Sequence, residues 1–159
     1  MTYENPYMKG QIWPELNILK TLRHRNPLVI CITNDVVRTI TANGLLAIGA
    51  SPVMSECSED LKDLILHASA LLINIGTLTP DKVTYYNDAI ALAKKYEVPI
   101  VLDPVGCHAG AYRLSVVLDL IKTGAISLLR GNQSEIKAIY DALSPDDQAD
   151  TSTTGKGVD

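Results

Sequence analysis

Leu28-Val29-Ile30-Cys31-Ile32-Thr33-Asn34-Asp35 is the stretch on which the fold turns. Five apolar residues without in-out alternation imply a strand covered on both faces. Thr33-Asn34-Asp35 then supplies turn and N-cap chemistry for a helix through about Ile48, closed by Gly49. The same unit recurs downstream. Residues 52–54 make a short strand, and Leu61, Leu64, Ile65 and Ala68 mark the stripe of the helix after it. Residues 71–75 make a buried strand, Gly76-Thr77 turns the chain, and Thr79-Pro80-Asp81 opens a helix with Val83, Tyr86, Ile90 and Ala93 on one face. Residues 98–102 form the next strand, stopped by Asp103-Pro104. A glycine-containing loop, a helix with Leu114, Val117, Leu118 and Ile121 inward, and a buried strand at 125–129 follow. Upstream, Trp13-Pro14 with Ile12, Leu16, Leu19 and Leu22 describes an amphipathic helix that ends before Asn26-Pro27.

Strands alternating with helices predict an α/β fold, a three-layer α/β/α arrangement around a mostly parallel sheet. Right-handed crossovers bring the C-terminal ends of parallel strands to one edge, so the junctions at Thr33, Met54, Gly76, Asp103 and Arg130 gather there. A ligand crevice is expected along that edge.

Composition sets limits on this reading. The 159 residues are 47% hydrophobic and 20% charged, enough for one sizeable core in one domain. A net charge of -4 with scattered Lys and Arg leaves no basic stripe for a nucleic acid. Three cysteines at unrelated spacings predict a reducing, cytoplasmic setting. No apolar run approaches the roughly 20 residues of a membrane span, and no signal core is expected at the N-terminus. Residues 144–159, rich in Ser, Thr, Asp and Gly, read as a flexible tail.

Arg130-Gly131-Asn132-Gln133-Ser134-Glu135 follows a strand and opens the amphipathic segment 136–143. Two readings stand side by side. One is an ordinary capping box with Asn132 as N-cap and Glu135 at N3. The other is a phosphate and metal site, in which helix N–H groups and Arg130 hold an anion and Glu135 holds a magnesium water. Met54 on residue type reads as core filler, and Asp103 before Pro104 as a turn cap. Thr153-Thr154-Gly155-Lys156-Gly157 fails as a Walker motif, because Gly157 stands where Ser or Thr would bind magnesium. His24, His67 and His108 read as surface or loop residues. Cys107-His108 is not a nucleophile pair, since adjacent side chains point apart.

A resemblance emerges from longer stretches. Pro27-Leu28-Val29, Thr33-Asn34-Asp35-Val36-Val37 and the run from Thr41-Ala42-Asn43-Gly44 to Ala50-Ser51-Pro52-Val53-Met54 resemble the N-terminal half of the hydroxyethylthiazole kinases. Leu72-Ile73-Asn74-Ile75-Gly76-Thr77-Leu78, Leu102-Asp103-Pro104-Val105-Gly106 and Arg130 to Ile136 fit the same family in the same order. The resemblance implies a ribokinase-like fold and transfer of the ATP γ-phosphate to the hydroxyl of 4-methyl-5-(2-hydroxyethyl)thiazole, with Mg2+, in thiamine biosynthesis or salvage. It implies a homotrimer with the thiazole site between subunits. Carried over position by position, Asn34, Met54, Gly76, Thr77, Asp103, Pro104 and Val105 would line the thiazole pocket. Arg130 and Asn132 would bind ATP, and Glu135 and Asp103 would face the metal.

By the same resemblance the chain is the substrate-binding portion, 1–159, of a single ribokinase-like domain, truncated relative to the family. The family's catalytic cysteine lies beyond Asp159, and none of Cys31, Cys57 or Cys107 matches it. No catalytic residue is therefore expected within the chain, and weak or no kinase activity is expected of it alone. Two alternatives stay open: another ribokinase-like enzyme such as hydroxymethylpyrimidine kinase, or a non-catalytic thiazole-binding oligomeric module.

Overall fold

The structure, a computed structural model, describes residues 14–144. The expectations placed on Ile12, Trp13, the 145–159 part of the tail and the Thr153 to Gly157 motif lie outside the described residues. Thirteen elements follow in order. They are α1 (Pro14–Arg25), β1 (Leu28–Ile32), α2 (Arg38–Ile48), β2 (Ser51–Met54), α3 (Ser58–Leu64) with a 3₁₀ turn at Ile65–His67, β3 (Ala70–Asn74), α4 (Pro80–Lys95), β4 (Ile100–Asp103), a 3₁₀ turn at Cys107–Ala109, α5 (Ala111–Lys122), β5 (Ile126–Leu129) and α6 (Gln133–Leu143).

All five strands pair in parallel, in the order β2-β1-β3-β4-β5. The step from β1 to β2 runs one way along the sheet and every later step runs the other. Right-handed crossovers therefore put α2 on one face and α3, α4 and α5 on the other. The main core fills the second side. Ile30, Ile32, Leu71, Ile73, Ile100 and Leu102 meet Leu61, Ile65, Tyr86, Ala89, Ile90, Ala93, Val117 and Leu120, all essentially dry. Removing twenty such side chains from water, at about 25 cal/mol per Å² of apolar area, is what holds the sheet and this helix layer together.

Local chemistry explains the element ends. Thr79 caps α4, its hydroxyl accepting from Lys82 N at 3.2 Å, with Pro80 in the first turn. Gly49 closes α2 at φ 99°, a left-handed conformation that glycine adopts at no steric cost. Asn132 and Glu135 form a complete capping box at the start of α6.

Three expectations need correction. The helix after Thr33-Asn34-Asp35 begins only at Arg38, without a side-chain cap. Asn34 Oδ1 accepts from Val36 N at 2.9 Å and Val37 N at 3.1 Å, and this local turn holds the chain out of the helix for one more step. The segment 125–129 is not a buried strand. β5 is the last strand of the sheet, with one neighbour, and Leu128 is 57% exposed. The helix of the Leu61, Leu64, Ile65, Ala68 stripe tightens at Ile65–His67 and ends with Ala68 extended, so Ala68 leads into β3.

Candidate functional site

The chain reverses its direction of growth between β1 and β3, and a parallel sheet binds ligands at such a point, beyond the C-terminal ends of its strands. Four polar side chains stand there in a row across four strands: Asn34 just past β1, Asn74 ending β3, Asp103 ending β4 and Arg130 just past β5. They are joined one to the next. Asn34 Nδ2 donates to Asn74 Oδ1 at 2.8 Å, Asn74 Nδ2 donates to Asp103 Oδ2 at 2.9 Å, and Arg130 Nη1 donates to the same oxygen at 2.9 Å.

One hollow, of about 400 Å³, opens beside Asn34 and is lined by Asn34, Val36, Val37, Gly76, Thr77 and Val105, with Gly106 and Arg113. Its walls are apolar with a few amides, the lining expected around a small neutral ring. Gly76 is required by space: a Cβ there would meet Asn34 Nδ2 at 2.5 Å. Thr77 sits at φ 42°, a costly conformation for a β-branched residue. Its hydroxyl accepts from Lys82 Nζ at 2.9 Å and from Asp35 N at 3.4 Å. Arg113 braces the wall by donating to Ile75 O at 3.1 Å and Val105 O at 3.2 Å.

A second hollow, of about 370 Å³, is lined by Asp103, Arg130, Gly131, Asn132 and Glu135 at the start of α6. The helix N-terminus and the exposed Arg130 favour a phosphate there, while Asp103 and Glu135, which line the same hollow, call for a cation to accompany it. Glu135 is only 6% exposed, and each of its oxygens accepts a backbone amide: Oε1 from Gly106 N at 2.9 Å, Oε2 from Asn132 N at 2.8 Å. Burial pushes the Asp103 carboxyl up from the usual carboxylate range; Arg130 opposes this, Glu135 adds to it, and the Asn74 hydrogen bond opposes it.

The carboxylates of this hollow can be compared with what magnesium requires. That ion takes one or two carboxylates plus substrate phosphates and keeps several waters. Asp103 commits Oδ2 to Asn74 and Arg130, and its Oδ1 accepts no hydrogen bond from a described residue, so it suits a direct ligand. Glu135, both oxygens held by amides, suits contact through water. Among the described residues no three His, Cys, Asp or Glu side chains gather as a metal cage.

A third and larger hollow, of about 600 Å³, lies on the α3 and α4 side of the rim, lined in part by Thr33, Arg38, Ser55, Glu56, Lys82 and Tyr85. Its cations are already paired. Arg38 meets Asp35 at 3.4 Å and Glu56 more closely, while Lys82 meets Asp35 at 3.4 Å. Ser55 Oγ and Tyr85 Oη share a buried hydrogen bond of 2.6 Å, whereas Thr33 Oγ1 is buried without a partner among the described residues.

The sequence-predicted residues thus divide. Asn34, Gly76, Thr77 and Val105 line the first hollow; Asp103, Arg130, Asn132 and Glu135 line the second. Pro104 is fully buried between them. Met54 lines none of the three. It ends the edge strand β2 opposite Cys31 and so lies on the α2 face of the sheet, away from Ile30 and Ile32. Asn74, Lys82 and Arg113 were not anticipated. A polar residue closing an apolar run is the signal that could have found Asn74. Lys82 and Arg113 carry no clear local signal, since each has a partner far away in sequence, Asp35 for Lys82 and Ile75 for Arg113. Cys31 is buried as expected, its thiol pushed up to about 11 by burial. Cys57 is exposed, whereas Cys107 is no open-loop residue: it is buried in a 3₁₀ turn against the Glu135 carbonyl.

Comparison with known proteins accords with this geometry. Residues 19–159 match the hydroxyethylthiazole kinase family. A hydroxyethylthiazole kinase of Streptococcus agalactiae serotype III (strain NEM316) is 61% identical over 121 residues, 76% of this chain and 47% of that protein. One from Streptococcus suis (strain 05ZYH33) is 59% identical over 121 residues, 76% of this chain and 46% of its own length. The solved hydroxyethylthiazole kinase protein of Pyrococcus horikoshii OT3 superposes with a TM-score of 0.78 at 42% identity, over 85% of this chain and 53% of that one. The chain spans about half the length of the curated relatives it matches.

Proposed function

The chain belongs to the hydroxyethylthiazole kinase family, and on that premise we propose that it takes part in transfer of the ATP γ-phosphoryl group to the hydroxyl of 4-methyl-5-(2-hydroxyethyl)thiazole. The observation that supports this reading best is the hydrogen-bonded row from Asn34 through Asn74 and Asp103 to Arg130, which spans an apolar hollow and an anion-attracting one. Phosphoryl transfer asks a protein chiefly for positioning and charge neutralisation. The thiazole ring is assigned to the hollow of Asn34, Gly76, Thr77 and Val105, with Pro104 packed beneath it. The ATP phosphates are assigned to Arg130, Asn132 and the first turn of α6.

Magnesium, when bound, would neutralise phosphate charge, with Asp103 as ligand and Glu135 as its water-mediated neighbour. Arg130 gives one of its five N–H groups to Asp103, so it can join that carboxylate to the arriving phosphates.

The working form is proposed to be a homotrimer with the thiazole site at the subunit interface. Helix α2 supports this, because none of its residues is buried although it carries Ile40, Leu45, Leu46 and Ile48. Val36 and Ile40 are 83% and 71% exposed. Met54 lies on this same face, so in an assembly it can line a neighbouring copy's hollow and not its own. Cytoplasmic placement is supported by three unpaired cysteines. Among the described residues no helix is long and apolar enough to cross a membrane.

Calorimetry tests the reading. Binding of both the thiazole alcohol and magnesium-ATP is expected. Binding of the alcohol without ATP favours a binding module, and binding of neither overturns the proposal.

A further inference from the structure

We propose that Asn74 is the positioning residue that holds the two hollows in register, fixing the Asn34 amide and the Gly76 turn with its oxygen and the Asp103 carboxylate with its nitrogen. This deepens the proposed function and rests on it.

Asn74 is 6% exposed and its side chain is used at both ends. Oδ1 accepts from Asn34 Nδ2 at 2.8 Å and from Gly76 N at 3.0 Å, and Nδ2 donates to Asp103 Oδ2 at 2.9 Å. The orientation of the amide is forced. A backbone N–H can only donate and an ionised carboxylate can only accept, so a flipped Asn74 would face both neighbours with the wrong polarity. Asn34 is fixed in the same way, because its own oxygen accepts from the Val36 and Val37 amides.

Strand register makes the reach possible. Asn74 and Asp103 are direct partners of β3 and β4, and β1 lies on the other side of β3. One side chain at the central strand end can therefore touch the residues that wall each hollow. Tyr86 secures it from below, its hydroxyl donating to Asn74 O at 3.4 Å.

An apolar residue here would leave the Gly76 amide and Asp103 without this partner, and a buried group left unpaired is costly. Because small misplacements of reacting groups cost large factors in rate, a shared fixed anchor is worth more at this point than at either hollow alone.

The test is Asn74→Asp in the full chain at pH 8, where a proton that could restore the missing donor is least available. Aspartate still accepts from Asn34 and Gly76 but presents an acceptor to Asp103. Calorimetry is expected to find affinity for 4-methyl-5-(2-hydroxyethyl)thiazole within about threefold of the unmodified chain, and affinity for magnesium-ATP at least about tenfold weaker. Asn74→Ala is expected to weaken both. A residue that merely supports the fold would lower both affinities alike in Asn74→Asp, and equal losses, or none, overturn the inference. Should Asn74→Asp fail to fold, the pair Asn74→Asp with Asp103→Asn restores donor to acceptor with the polarity reversed. That double variant is expected to fold and bind the thiazole alcohol; loss of alcohol binding in it overturns the inference. An unmodified chain that binds neither ligand defeats the functional reading, and the inference falls with it. An unmodified chain that binds both, with no split in Asn74→Asp, defeats the inference alone.

Discussion

Asp103 Oδ2 stands 2.9 Å from Asn74 Nδ2 and 2.9 Å from Arg130 Nη1, so one carboxylate oxygen joins a buried amide to a guanidinium that is 72% exposed. The inner contact is held by the sheet. The outer one is free to exchange for a ligand, because an exposed ion pair contributes little by itself.

Removal of the guanidinium follows from this. Arg130→Ala is expected to weaken magnesium-ATP binding by roughly 1.5–3 kcal/mol, the range for a hydrogen bond to a charged group, with the melting temperature little changed. Calorimetry and a thermal scan on the same sample check both parts.

The raised Asp103 pKa has a definite sign in stability. An acid whose folded pKa exceeds its unfolded value contributes stability that is fully present below the unfolded value, about 3.9, and is lost as pH rises through the folded one. Asp103→Asn removes this dependence. Its melting temperature relative to the unmodified chain should therefore rise between pH 3 and pH 7; a flat difference across that range contradicts the assignment.

Gly76→Ala is a test of space. The new Cβ would displace the Asn34 side chain, whose nitrogen lies 2.5 Å from its position, and through it the contact to Asn74. Thiazole alcohol affinity is expected to fall at least about tenfold, the effect of one lost net hydrogen bond. Magnesium-ATP affinity is expected to fall less.

Thiol labelling separates the cysteines. Cys57 is exposed, whereas Cys31 and Cys107 are buried and their thiols are raised by burial, Cys107 further by Glu135. One fast and two slow thiols per chain are expected at pH 8 with a disulfide reagent, and three fast ones in denaturant. Cys57→Ser should remove the fast phase.

Ile40→Glu addresses the bare face of α2. If the chain assembles through that face, a charge at a residue 71% exposed in the single chain shifts sedimentation from three chains toward one while leaving helix content unchanged.

Most of the fold was legible because its signals are local. Apolar runs at 28–32 and 71–75, Thr79-Pro80 and Gly49 each act within a few residues. The start of α2 was misplaced because Asn34 spends its oxygen on a turn and not on a cap. The exposure of β5 was missed because strand order, and not local sequence, decides which strand has one neighbour. For the site, the loop residues were found from their positions at strand ends. Asn74 escaped notice since the side chains it joins lie 40 and 29 positions away, and the face on which Met54 lies was not legible because strand face, unlike strand end, depends on register.

Asn34 has one consequence for selectivity. Its oxygen has both lone pairs engaged by the Val36 and Val37 amides, and one of its two amide hydrogens is given to Asn74. The side chain, 5% exposed, is left with one N–H to offer and no acceptor. Such a wall greets a ring nitrogen or an ether-like lone pair and turns away a donor, so chemical discrimination at this point comes from what the asparagine has already given up.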